Sequence, residues 1–223
     1  MHYATNVFMR KTAFANGEFY HIYNRGADKR IVFEDEEDFK RLLFCMDVFN
    51  TVQPIGSLYE HGLDIHYGRR TSISKEKLVT IICYCLNPNH FHFLLEQKVE
   101  GGISEFMKRL SGGYTKYFNN KYKRTGVLFQ GRFKSSHIDS NEYLLHVSAY
   151  INLNDRAHKI ESGMSYSSWP EFLDQKRHAL CSTDIVLKQF KDSLEYKSFA
   201  ESSLADILAR KEMQKELAAM LLE

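Results

Sequence analysis

The strongest constraint in this sequence is a pair of strand-length apolar runs, Leu78–Leu86 (LVTIICYCL) and His90–Leu95 (HFHFLL), separated by Asn87-Pro88-Asn89. β-Branched and aromatic residues favour buried, pleated backbone, and Asn-Pro-Asn supplies turn chemistry. The two runs therefore predict a central antiparallel hairpin. A polar pair is built into it. His90 and His92 flank Phe91, so on a strand the two imidazoles project from one face and the phenyl ring from the other. Two imidazoles so placed can share one divalent ion.

Around this hairpin the chain alternates between strand and helix patterns. Glu18–Asn24 is a run of large aromatic and β-branched residues ending at Asn24-Arg25-Gly26, a strand followed by a turn. Asp35–Val48 has acids at its start and Phe39, Leu42, Leu43 and Met46 on one stripe, a helix. Residues 50–77 are polar and weakly alternating, which suggests a small hairpin or an insertion. Ile103, Phe106, Met107, Leu110, Tyr114, Tyr117 and Phe118 mark an amphipathic helix running to about Tyr122.

A strand pattern returns around Val127–His137. Asp139 or Ser140 can then cap a helix with Leu144, Val147, Ser148 and Ile151 facing inward. The order β-α-(insertion)-β-β-α-β-α predicts an α+β fold: an antiparallel β-sheet with helices on one face, close to a split βαβ arrangement. Beyond Trp169 the chain reads as helical, ending in an amphipathic stretch from about Ser203 to Leu222.

Composition sets the class. With 43% hydrophobic and 26% charged residues over 223 positions, one core with accessory helices is expected. Four cysteines (Cys45, Cys83, Cys85, Cys181) lie among apolar neighbours without a disulfide framework spacing, and no apolar run is long enough to span a membrane. A reducing, cytoplasmic location is the expectation. The net charge is only +2, yet Phe106–Ile138 contains no acidic residue and carries Lys108, Arg109, Lys116, Lys121, Lys123, Arg124, Arg132 and Lys134. Such a basic segment, interleaved with Tyr114, Tyr117, Tyr122 and Phe129, suits contact with phosphates and bases.

Tyr150 and Asn154 stand i, i+4 on the expected helix and so share a face, which His146 extends by a turn. In a chain with thirteen tyrosines, one more aromatic on a helix is ordinarily core. A family resemblance gives the pair another meaning. Asn87–Leu95 (NPNHFHFLL), Arg124–Lys134 (RTGVLFQGRFK) and Tyr150–Asn154 (YINLN) resemble the single-tyrosine HUH-type transposases, and most of all their REP-associated tyrosine transposase branch. Tyr20–Gly26 and the stretch from Leu187 to Phe199 are similar to the same branch. At the helix end this chain reads Asn152-Leu153-Asn154-Asp155 where the branch often has His-Leu-Asn-Pro.

Residues 1–16 carry no clear pattern and read as an arm; with the resemblance, a catalytic domain is expected at 17–160, containing the insertion near 50–77, followed by a helical extension at 161–223. The resemblance implies that Tyr150 is the nucleophile, that His90, His92 and Asn154 hold Mg²⁺ or Mn²⁺, and that the reaction cleaves and rejoins single-stranded DNA through a 5′-phosphotyrosine. The implied partner is a DNA hairpin, and the family allows a homodimer. Lys116, Lys121, Lys123, Arg124, Arg132 and Lys134 are then expected to form a DNA path leading to the metal.

Two other readings stay open on the residues alone. Cys83, Cys85, His90 and His92 would make a zinc site if the cysteines share the histidine face; a three-residue loop turns them away, a four-residue loop pairs Cys85 with His90. A noncatalytic, domesticated nucleic-acid-binding protein of the same fold would also use the basic segment.

Overall fold

The computed structural model describes residues 13–53, 76–161, 163–174 and 180–220. Most of the segment expected as an insertion, from 54 to 75, and most of the N-terminal arm fall outside them. The elements follow in the order β1 (Phe19–Arg25), a 3-10 turn (Ala27–Lys29), α1 (Glu36–Val48), β2 (Val79–Asn87), β3 (His90–Gln97), α2 (Gly102–Lys121) and β4 (Lys134–Ile138). There follow α3 (Asn141–Asn152), α4 (Asn154–Ala157), β5 (Tyr166–Ser167), α5 (Trp169–Phe172), α6 (Asp184–Leu187) and α7 (Ser193–Met220). The strands form one antiparallel sheet in the order β4-β1-β3-β2-β5. β1 and β2 therefore flank β3 and run parallel to each other, which is the split βαβ arrangement with α1 as the crossover.

The caps explain two helix starts. Asp35 accepts from Asp38 N at 3.1 Å at the head of α1, and Ser140, rather than Asp139, accepts from Tyr143 N at 3.2 Å at the head of α3. The strand expected over Val127–His137 begins only at Lys134; before it, Phe129 makes a single bridge to Gly26. Gly26 has no room for a side chain, since a Cβ there would lie 2.2 Å from the Arg30 carbonyl oxygen. The last helix starts at Ser193, ten residues before the expected start, because Tyr196 and Ala200 already face the core.

Helices cover both faces of the sheet, not one. α1 and α2 pack on the side of Tyr20, Ile22, Tyr84, Leu86, Phe91, Phe93 and Leu95. On the other side Cys83, Cys85 and Leu94 meet α3, α6 and α7 through Val147, Ile151, Val186 and Tyr196. α3 is gripped from behind. The Tyr196 hydroxyl lies 3.1 Å from Ser148 Oγ and accepts from Asn152 Nδ2 at 3.0 Å, and Ser168 Oγ lies 2.7 Å from Asn152 Oδ1. Asn152 is thus the buried fastener of the helix end. His146 also faces α7, 2.7 Å from Ser203 Oγ, so it does not extend the Tyr150 stripe toward the sheet.

Candidate active site

Register decides what the second face presents. β3 pairs with β1 so that His92 lies opposite Tyr23 and His90 opposite Arg25, and with β2 so that Cys85 lies opposite His92 and Asn87 opposite His90. The turn between β2 and β3 has two residues, Pro88 and Asn89, shorter than either loop considered from the sequence. Cys85 does share the histidine face, but its Sγ–H donates to Asn87 Oδ1 at 3.5 Å and burial pushes its pKa well up. Among the described residues, no three histidine, cysteine or carboxylate side chains come together as a metal cluster. The Cys83, Cys85, His90, His92 zinc set does not form.

α3 crosses this face and brings Tyr150 edge-on to two imidazoles, with ring centroids 5.8 Å from His92 and 6.3 Å from His21. One turn later Asn154 opens α4, fully buried, with Oδ1 3.1 Å from His90 Nε2. His90 and His92 stand perpendicular, with centroids 5.2 Å apart. The four residues that the resemblance implicated are brought together.

The hydrogen bonds around the histidines bear on their tautomers. Asn89 Nδ2 donates to the Lys29 carbonyl at 3.3 Å, so its Oδ1, 2.6 Å from His90 Nδ1, accepts the proton there. The His90 lone pair is then on Nε2, where Asn87 Nδ2 donates to it at 2.9 Å. The approach of His90 Nε2 to Asn154 Oδ1 is thus one acceptor facing another, the arrangement a cation would satisfy. Asn154 Nδ2, meanwhile, is buried without a hydrogen-bond partner, so the amide is oriented by its oxygen. His92 Nδ1 lies 2.8 Å from His21 Nε2; the tautomer in which His92 donates leaves its own Nε2 with the lone pair. Burial lowers the His90 pKa, which favours the neutral imidazole a metal needs, and pushes His21 down to about 4, which favours the neutral form beside His92. Two imidazole nitrogens and an amide oxygen fit a small divalent cation that completes its sphere with water and phosphate oxygens.

An open cavity of about 620 Å³ lies over these groups, lined by His90, His92, Tyr150, Tyr23, Gln130 and His158 among others, with Arg25, Lys29 and Lys134 as its cations. Among the described residues no carboxylate lines it. Of the six expected DNA-path residues only Lys134 is here. Arg132 lines a second cavity on the α2 side, with Lys108, Phe14 and Phe133. Lys116 is exposed on α2 and Lys123 just beyond it. Arg124 donates to Asn119 Oδ1 at 2.9 Å and lies over the Phe118 ring. Lys121 corrects the expectation most sharply: it is tied to Asp35 at 2.7 Å, to buried Asp38 at 2.9 Å and to Glu37 at 3.7 Å. α2 and the site lie on opposite faces of the sheet, so a basic run continuous in sequence is divided in space.

Sequence reasoning passed over His21, Tyr23, Arg25, Lys29, Asn87 and His158. Tyr23 stacks on His92 with centroids 5.7 Å apart, and His158 stands 4.9 Å from His90. For His21, Tyr23 and Arg25 a signal was present: they alternate with buried Tyr20, Ile22 and Asn24, so they had to share the opposite face. Nothing in the sequence showed that this face would meet His92.

Residues 68–154 match the family model described as "Transposase IS200 like". No curated protein matches the chain. A solved structure of a REP-associated tyrosine transposase bound to a REP hairpin is similar at 12% identity and a TM-score of 0.47, covering 78% of this chain and 96% of that one. The matched segment holds His90, His92, Tyr150 and Asn154 together.

Proposed function

We propose that this chain cleaves and rejoins single-stranded DNA at hairpin elements, with Tyr150 as nucleophile and His90, His92 and Asn154 as ligands of Mg²⁺ or Mn²⁺. The observation that carries the proposal is the convergence of a helix-borne tyrosine on a histidine pair beside two facing acceptors, at the floor of a cavity with cationic walls.

In this reading Arg25, Lys29 and Lys134 hold the backbone phosphates of the strand, and their charge accounts for sequence-independent affinity. Tyr150 Oη attacks phosphorus, the bond from phosphorus to the 3′-oxygen breaks, and the 5′-phosphate remains on the tyrosine. The proton lost by the phenol is matched by the one gained at the 3′-hydroxyl. A bound divalent cation would polarise the scissile phosphate and neutralise charge developing on it. Rejoining is the reverse step with another 3′-hydroxyl, so no nucleotide cofactor is consumed. Tyr196 and Ser168 fix the helix that aims the phenol through Asn152, and His21 orients His92.

The test is a labelled single-stranded hairpin substrate with and without Mn²⁺, for the wild type, His90→Ala and His92→Ala. The expected result is a denaturation-resistant protein–DNA adduct that requires Mn²⁺ and falls about 10²–10³-fold in rate in either variant, with hairpin affinity within a few-fold. Adduct formation at the wild-type rate in chelator would remove the metal and both ligands from the chemistry. Tight hairpin binding with no adduct under any condition would leave a binding protein.

A further inference from the structure

Asn87 is the last residue of β2, fully buried, and its amide points at the two acceptors that face each other. Its Nδ2 lies 2.9 Å from His90 Nε2 and 2.8 Å from Asn154 Oδ1, while those two atoms are 3.1 Å apart. The three atoms form a nearly equilateral triangle. An octahedral ion with ligands at about 2.0–2.1 Å separates adjacent ligand atoms by about 2.9 Å. The triangle therefore has the dimensions of one face of such an octahedron, with two of its corners already lone-pair donors.

The third corner holds a nitrogen, yet an amide presents either end in nearly the same space. A half-turn about the last side-chain bond puts Asn87 Oδ1 where Nδ2 now stands and leaves Nδ2 facing Cys85 Sγ, which is 3.5 Å from the Asn87 oxygen in the present orientation. Cys85 then changes from weak donor to weak acceptor, and the amide keeps a partner in both states. With the nitrogen inward, Asn87 holds His90 and Asn154 at ligand spacing by donating to both. With the oxygen inward, it adds a hard oxygen of the kind Mg²⁺ and Mn²⁺ prefer.

We propose that Asn87 is a further ligand of the divalent cation, turning its amide from nitrogen-inward to oxygen-inward when the ion binds. The inference rests on the metal site proposed above. It follows that Asn87 sets affinity for the ion itself, before any DNA is present.

The experiment is titration of the DNA-free protein with Mn²⁺ alone, read by the electron paramagnetic resonance signal of free Mn²⁺, for the wild type, Asn87→Leu, Asn87→Asp and His90→Ala. Asn87→Leu keeps the volume and removes both ends of the amide; it is expected to weaken Mn²⁺ binding at least tenfold. Asn87→Asp supplies oxygen at either end and is expected to bind at least as tightly as wild type. Its thermal midpoint should also rise more on adding Mn²⁺, because without the ion its carboxylate faces the Asn154 oxygen. Wild-type affinity in Asn87→Leu, with weakened binding in His90→Ala, would overturn the role of Asn87 and leave the site standing. Equal weakening in Asn87→Leu and Asn87→Asp would also overturn it, since the donating N–H would then be what matters. If His90→Ala binds Mn²⁺ as the wild type does, the metal site and this inference fall together.

Discussion

The two faces of the sheet are made by the same strands and do opposite work. On the α1 and α2 side, Tyr20, Ile22, Phe91, Phe93 and Leu95 are each at most 1% exposed and belong to one apolar core cluster. On the α3 side the alternate residues include His21, Tyr23, His90 and His92 as well as apolar Leu94, and an open cavity replaces part of the packing. Alternation along a strand lets one backbone carry both programmes, so the rigidity of the first face positions the second. The difference teaches that substitutions on these strands should separate by parity: odd and even neighbours affect different properties.

The largest effect that would sharpen this contrast is on the dry face. Phe93→Ala removes a fully buried ring stacked on Phe91 and is expected to cost about 3–5 kcal/mol in urea unfolding. A loss under about 1 kcal/mol would mean that this face is looser than described.

Lys121 gives a smaller effect on the same side. Lys121→Ala strands the fully buried Asp38 carboxylate, although Tyr117 and Tyr122 still donate to it at 3.1 and 2.8 Å. Because Lys121 itself keeps 22% of its side chain exposed, the expected cost is about 1–3 kcal/mol, less than for a wholly buried pair. The salt dependence of single-stranded DNA affinity should not change. A shallower dependence would return Lys121 to the DNA path.

On the site face, His21→Ala should leave unfolding nearly unaltered and weaken Mn²⁺ binding about tenfold, since it removes the group that orients His92. Unchanged Mn²⁺ affinity would reduce His21 to packing. The smallest effect belongs to Lys134→Ala, which should flatten the slope of log affinity against log salt by about 0.7, the contribution of one phosphate contact to a single strand.

Much of the sheet was legible because its strands announce themselves twice, by β-branched and aromatic content and by sharp turn residues at Gly26 and Pro88. The amphipathic stripes of α1, α2 and α3 were equally plain, and the cap of α3 was narrowed to Asp139 or Ser140. What the sequence withheld is long-range. Whether Cys85 faced with His92 depended on a two-residue turn, and whether His21 met His92 depended on a pairing of strands separated by some seventy positions. The same reason defeated the single basic path. Residues 106–138 are continuous in charge, but the chain passes from one face of the sheet to the edge strand within them, so Lys121 and Lys134 end on different sides. His90, His92, Tyr150 and Asn154 were singled out because motifs that resemble a family's carry them in order; Asn87 opens the first of those motifs but was given no role beyond the turn.

The central claim is that Tyr150 is the residue joined to DNA. The direct measurement is proteolysis of the denaturation-resistant adduct followed by mass spectrometry of the peptide that carries the nucleotide, with Tyr150→Phe run beside the wild type. The account predicts the nucleotide on Tyr150 through a 5′-phosphate, and no adduct from Tyr150→Phe despite unchanged folding and hairpin affinity. A nucleotide found on Tyr143 or Tyr114, or an undiminished adduct in Tyr150→Phe, would contradict it.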